Sequence, residues 1–212
     1  MNAPSPSIPP LHGLSGLHEL PLDDYHQGML DIALKTCTGP LAYCHRIKAE
    51  ARDLVALAQY SGRIHIHWLY CSAGLRAKLE LEVPVGCLPD PNGPLQIAPR
   101  AVLGLVYPQE AIVRPRPGYA FVHILEPRVW HSNVSPDHNQ VLCLGPRLPA
   151  GVLVKDILVM TYGALSMQTI QINPRDPAGL LNPAAAEWFQ RNTGLIPLTR
   201  EPFLRSEVRH AA

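Results

Sequence analysis

The chain has 212 residues, of which 47% are hydrophobic and 17% charged, and its formal net charge is +1. Such a chain can bury a sizeable core, and because it carries no basic run it offers no electrostatic basis for binding nucleic acid. It contains no run of about 18 apolar residues and no secretory signal pattern at its start, which predicts a cytoplasmic protein that does not enter the membrane.

Residues 1–36 are rich in proline and have no regular period, so we interpret them as an N-terminal extension to a domain over residues 37–212. A short helix is predicted within the extension at residues 25–35. A longer helix is predicted at residues 41–59, where apolar side chains recur at helical spacing and leave Arg46 and Glu50 off the apolar stripe. The stripe consists of Leu41, Cys44, Ile47, Ala51, Leu54, Val55 and Ala58.

Alternating apolar and polar side chains then predict a meander of four antiparallel strands with one solvent-exposed face. The predicted strands are residues 63–70, 78–85, 101–106 and 119–125. In the first strand, the alternation places Ile64, Ile66 and Trp68 on one face. It places Arg63, His65 and His67 on the other, solvent-exposed face.

Helical patterns return after an irregular segment, first from Asp156 and again around Ala185 and Trp188. Since the strands run together and the helices are segregated from them, the sequence predicts an α+β fold. The five cysteines are irregularly spaced and odd in number, which predicts free thiols rather than a disulfide framework. They are Cys37, Cys44, Cys71, Cys87 and Cys143.

The strongest chemical signal lies in the irregular segment. His131-Ser132-Asn133 is followed, ten positions after Asn133, by Cys143 in an apolar run that ends at Gly145. Acyl transfer through a thioester needs a soft nucleophile and a nearby amide that stabilises the oxyanion, and these residues supply both. Taken without its context, Cys143 would be read as a small buried hydrophobic residue.

These pieces resemble the active-site region of ubiquitin-conjugating (E2) enzymes, in which a His-Pro-Asn tripeptide precedes a Cys-Leu pair. Here Ser132 stands in place of the proline, and the connecting loop is slightly longer. Arg46-Ile47-Lys48-Ala49-Glu50 is similar to the start of the first E2 helix. Asp176-Pro177, followed by Leu180 to Trp188, is similar to the turn and helix after the E2 cysteine, with two residues inserted. The resemblance covers residues 40–200.

The resemblance implies a UBC-like fold: an N-terminal helix, a four-stranded antiparallel meander, an active-site loop with the cysteine, and C-terminal helices. It implies that Cys143 accepts a ubiquitin-like protein as a thioester from an E1-like enzyme and passes it to a lysine of a target protein. Asn133 would stabilise the oxyanion or hold the loop, Asp176 would receive the attacking lysine amine, and His131 would pack the loop.

The same resemblance implies neither a cofactor nor a metal, because ATP is used by the E1-like enzyme. The departures from the eukaryotic pattern are similar to those of bacterial E2-like proteins encoded beside E1-like and ubiquitin-like partners. Some of those systems act in antiviral defence against phage, and the resemblance extends that expectation to this chain.

Three other interpretations stay open at this stage. A non-catalytic E2 variant would use the same fold as a module that binds a ubiquitin-like protein or scaffolds a partner. A papain-like hydrolase would need a general-base histidine paired with Cys143. A zinc site would have to combine His65 and His67 with Cys71 and Cys87, although their spacing matches no common zinc module.

Overall fold

The computed structural model describes residues 14, 16–88, 90, 93–113, 118–145, 148–173, 175 and 179–204. Within them the chain is α+β, as predicted, with five α-helices and one antiparallel sheet of five strands. The helices are α1 (Asp24–Lys35), α2 (Leu41–Ser61), α3 (Gln109–Val113), α4 (Val154–Leu165) and α5 (Pro183–Arg191). The strands are β1 (Ile64–Tyr70), β2 (Leu75–Cys87), β3 (Gln96–Tyr107), β4 (Val122–Glu126) and β5 (Val141–Leu142).

The sheet has the order β1-β2-β3-β4-β5, and every neighbouring pair is antiparallel. The predicted count of four strands is therefore corrected to five. The additional strand, β5, pairs Leu142 with Val122 and Val141 with His123, directly before Cys143. Two apolar residues are too short for an alternating pattern, which is why the sequence placed them in an irregular segment.

Strands β2 and β3 are longer than predicted, because they continue as a ribbon to the pair Cys87 and Gln96. Pro84 lies within the register shift between Glu82 and Val85, where the ladder is interrupted. A proline has no backbone N–H to donate, so an interrupted ladder is a place where a strand tolerates it.

The predicted face of Trp68 is wrong. A register shift between Ile66 and Trp68 breaks the alternation of β1, so His67 and Trp68 are both exposed and Leu69 enters the core. Because an inserted residue turns every later side chain to the opposite face, a strict period of two could not show this shift.

Helix α2 packs against α1, β1 and α4, and its predicted stripe from Ile47 to Ala58 is buried in one hydrophobic core with the sheet. Leu41, at the start of the stripe, is instead 75% exposed. Glu50, predicted off the stripe, is buried because its carboxylate accepts the Val154 N–H at 2.7 Å and lies beside Arg46.

The predicted N-terminal extension contributes to the same core. Leu30 and Ala33 of α1 are buried, as are Leu14 and Leu17 ahead of it. The described helices include none that is long and apolar enough to cross a membrane.

Candidate active site around Cys143

The structure brings the two sequence motifs side by side. The segment after His131 runs antiparallel to β5, through a bridge between Val134 and Leu142. In this ladder the Cys143 N–H donates to the Asn133 carbonyl at 2.8 Å, and the Ser135 N–H donates to the Val141 carbonyl at 2.9 Å. Cys143, whose side chain is partly buried, therefore lies where β5 ends, directly across from Asn133.

The loop before α5, which includes residues 179–182, lies against the segment that carries Asn133. The Ser132 carbonyl accepts the N–H groups of Leu181 and Asn182, both at 2.9 Å. The side-chain amide of Asn133 donates to the Gly179 carbonyl at 2.7 Å. Since Asn182 also caps α5 by accepting the Ala185 N–H, the position of α5 and the position of the loop are fixed together.

Gly179 of this loop lies close to the thiol. Its φ is +81°, and a Cβ added there would lie 3.9 Å from Cys143 Sγ and 3.6 Å from Asn133 Nδ2. Both of these side-chain atoms thus face the same point on the loop backbone. A left-handed backbone whose added Cβ would meet the side chains of Cys143 and Asn133 favours glycine, which no other residue type replaces without strain.

The Asn133 side chain is buried and forms hydrogen bonds through both its nitrogen and its oxygen. Besides its donation to Gly179, its oxygen accepts the Gln171 N–H at 3.2 Å and the Ser132 hydroxyl at 3.3 Å. A proline in place of Ser132 could not supply the hydroxyl contact. Asn133 consequently links the segment after α4 to the loop before α5.

His131 lies beneath the loop, fully buried. Its Nδ1 accepts the Asn133 N–H at 3.0 Å, and its Nε2 lies 2.8 Å from the Ala164 carbonyl of α4. A carbonyl only accepts, so Nε2 carries the proton and the ring is neutral. Burial lowers the pKa of His131 to about 4, against the opposing effect of the Ala164 carbonyl. The ring orients Asn133 and has no free nitrogen for proton transfer.

The predicted site residues are thus placed as follows. Cys143, Asn133 and His131 are in one cluster, whereas Asp176 lies outside the described residues. Gly179 and Gln171 were not singled out from the sequence. The signal for Gly179 was present, since a glycine after Asp176-Pro177-Ala178 is where a turn needs positive φ. No sequence pattern could have indicated Gln171, because its contact with Asn133 is made by its backbone N–H, which every residue type except proline has.

The histidines and cysteines considered for zinc do not converge. His65 and His67 are exposed on β1 with their rings 5.0 Å apart, and Cys71 is buried. Among the described residues there is no group of three or more His, Cys, Asp and Glu side chains that could hold a metal ion.

Comparisons of the chain with known protein families, with curated proteins and with solved structures found no match.

Proposed function

We propose that this protein is an E2-like conjugating enzyme, which carries a ubiquitin-like protein on Cys143 as a thioester and transfers it to a lysine. The observation that supports this most directly is the cluster at the end of β5. There a partly exposed thiol lies across the ladder from Asn133, and both face the backbone of Gly179.

The loading step is a thioester exchange. The Cys143 thiolate attacks the carbonyl carbon of a C-terminal glycine held as a thioester on an E1-like enzyme. The new bond joins Cys143 Sγ to that carbon, the bond to the E1 sulfur breaks, and the E1 thiol is released. Cys143 directly follows the last paired residue of β5, and the described residues next after it, Leu144 and Gly145, belong to no helix or strand.

In the transfer step, a lysine amine attacks the thioester carbonyl, an amide bond forms, and Cys143 leaves as the thiol after a proton passes from the amine. One N–H of Asn133 is used by Gly179, and its second N–H makes no hydrogen bond to another described residue. This second N–H is the group we assign to the oxyanion. Asp176 is assigned to the lysine amine from the family resemblance alone.

The experiment is adduct trapping in the native host. Tagged wild type, Cys143→Lys and Cys143→Ala are expressed, and their intact masses are compared with and without reductant. We expect a reductant-sensitive adduct of several kilodaltons on wild type, a resistant adduct on Cys143→Lys, and none on Cys143→Ala. An amide to lysine survives thiols, whereas a thioester does not.

The matched control is Cys87→Lys, which places a lysine at another partly buried cysteine. It should behave like wild type, since the acceptor must be at the site. If all variants stay unmodified while the E1-like and ubiquitin-like partners are expressed, conjugation is refuted. The non-catalytic binding module is then the better account of the fold.

A further inference from the structure

The outer side of α1 exposes large hydrophobic side chains beside acidic ones. Tyr25 is 60% exposed and Ile32 is 66% exposed, and Asp24 and Asp31, each one position earlier, are exposed as well. Both pairs are spaced by seven residues, which places them on one side of the helix. Within the part of the chain that the structure describes, neither carboxylate forms an ion pair.

Gly28 lies in the middle of these four residues, three or four positions from each of them. A Cβ built on Gly28 would meet nothing within 4 Å, so no contact among the described residues requires a glycine here. Glycine inside a helix lowers the stability of that helix, because it loses more backbone freedom on folding than other residues. Close approach of a group from outside the chain would account for it. We call Gly28 and its four neighbours the α1 face.

A second exposed patch lies on the open face of the sheet, where β1 pairs with β2. Trp68 stands opposite Lys78, and Tyr70 stands opposite Arg76, in the antiparallel register. The rings of Trp68 and Tyr70 are 49% and 47% exposed, and neither cation is ion-paired to another described residue. These four residues are the sheet patch. It presents two aromatic rings and two positive charges, whereas the α1 face presents two large hydrophobic side chains and two negative charges.

The two surfaces belong to neighbouring elements of the fold. Helix α1 packs against β1, and the ends of both elements are joined, since the Cys71 N–H donates to the Thr36 hydroxyl at 2.9 Å. A two-fold axis that passes between adjacent surfaces sets each of them against the other surface of a second copy. Such an arrangement is self-complementary, as a closed two-fold interface requires.

We propose that the α1 face and the sheet patch form the interface of a homodimer, in which the α1 face of each chain packs on the sheet patch of the other. The carboxylates of Asp24 and Asp31 meet the cations of Arg76 and Lys78, the hydrophobic side chains pack together, and Gly28 leaves room for the facing sheet. A second copy is the favoured occupant because one chain carries both complementary surfaces. Neither surface includes a residue of the Cys143 cluster, so the dimer does not depend on the conjugating activity.

The test is the mass of the full chain in solution, measured by sedimentation over a range of concentrations with reductant present. The mass of wild type should rise from 23.3 kDa towards twice that value as the concentration rises. High salt should weaken the association, because it screens ion pairs at a surface. Asp24→Lys with Asp31→Lys, or Arg76→Glu with Lys78→Glu, should weaken it by about tenfold or more, because like charges then face each other.

The matched control is Glu110→Lys with Glu187→Lys, which makes the same change of charge at exposed residues of α3 and α5. It should associate like wild type. The sharpest measurement mixes the two charge-reversed variants in equal amounts. In a mixed dimer the reversed α1 face meets the reversed sheet patch, and the two unaltered surfaces meet each other. The mixture should therefore regain the association that neither variant shows alone.

Gly28→Gln separates the dimer from the stability of the helix. Glutamine favours a helix more than glycine does, so the variant should resist urea at least as well as wild type when both are dilute and monomeric. Its side chain fills the middle of the α1 face, so it should dimerise several-fold more weakly.

The homodimer is refuted if wild type stays at 23.3 kDa at the highest concentration reached, in which case the two surfaces belong to a different partner. It is also refuted if the charge-reversed variants associate like wild type, if the control weakens association as much as they do, or if their mixture recovers nothing.

Discussion

The ring of His131 is fixed as one neutral tautomer, because its two nitrogens serve a donor and an acceptor at the same time. Protonation of Nδ1 would convert the acceptor of the Asn133 N–H into a donor and would place a charge in the core. The residue that orients Asn133 is thereby also a titrating group whose charged form the fold does not accept.

The stability of the protein should consequently fall in mild acid. The pKa of His131 is about 4 in the folded protein and 6.5 in the unfolded chain. Between these values the unfolded chain binds a proton that the folded protein does not, so stability rises with pH over this window. We expect His131 to account for the loss of about 3 kcal/mol as the pH falls from 6.5 to 4, and for no further loss below pH 4.

The measurement is the free energy of unfolding in urea across this range of pH, for wild type and His131→Gln. The variant should be less stable at neutral pH, with a shallower dependence on pH. All the other titratable groups are shared by the two proteins, so the difference between the two profiles isolates His131. Parallel profiles would contradict the assignment.

At this scale, the sequence could indicate which residues meet but not how they are bonded. Cys143 and Asn133 are close along the chain, and a short return of the backbone is enough to pair them. Glu50 was predicted off the apolar stripe of its helix and Arg63 on the solvent-exposed face of its strand, and both are buried. A charged residue enters a core only when distant groups satisfy it, and no local pattern shows those groups.

At the scale of elements, helix α4 shows how such a distant group acts. Its N-cap residue, Leu153, has no side chain that could cap the first turn. The missing acceptor comes from α2, where Glu50 accepts the Val154 N–H. Arg46 of α2 adds a second link to the segment before α4. Its Nε lies 2.7 Å from the Glu50 carboxylate, and its Nη2 donates to the Gly151 carbonyl.

Removing this cap should destabilise the protein by an amount that depends on what replaces it. Glu50→Ala leaves the Val154 N–H and Arg46 without their partner, and we expect a loss of about 2–4 kcal/mol. Glu50→Gln keeps an oxygen for Val154 and should lose roughly half as much. Urea unfolding measures both values, and hydrogen exchange of the Val154 amide should accelerate in the alanine variant.

The control is Glu80→Ala, which removes the partner of the mostly exposed Arg100 on the sheet and should cost less than about 1 kcal/mol. An unchanged exchange rate at Val154 in Glu50→Ala would show that Glu50 does not hold the start of α4.

At the scale of the whole molecule, Arg63, directly before β1, contacts a segment far along the chain. Arg63, expected at solvent, is covered by the segment from Glu201 to Phe203. Its Nε donates to the Phe203 carbonyl at 2.8 Å, its Nη2 bonds the Glu201 carboxylate at 2.9 Å, and its guanidinium lies over the Tyr162 ring. Alternation along β1 predicts a face for Arg63, but it contains no information on which distant segment covers that face.

Substitution of Arg63 by lysine should therefore release the C-terminal segment while keeping the charge. A lysine cannot bond the carbonyls of Pro202 and Phe203 and the Glu201 carboxylate in a planar fork, and it stacks less well on Tyr162. We expect Arg63→Lys to lower the free energy of unfolding by about 1–3 kcal/mol, and trypsin to cut after the exposed Arg200 faster than in wild type.

The comparison for this experiment is Arg100→Lys, in which the arginine is mostly exposed and pairs with Glu80 at 3.0 Å. That variant should unfold within about 0.5 kcal/mol of wild type and should be cut after Arg200 at the wild-type rate. Both readouts are needed, because a general loss of stability would speed cleavage at every site. If Arg63→Lys speeds cleavage after Arg200 no more than elsewhere, Arg63 stabilises only the sheet and does not anchor the C-terminal segment.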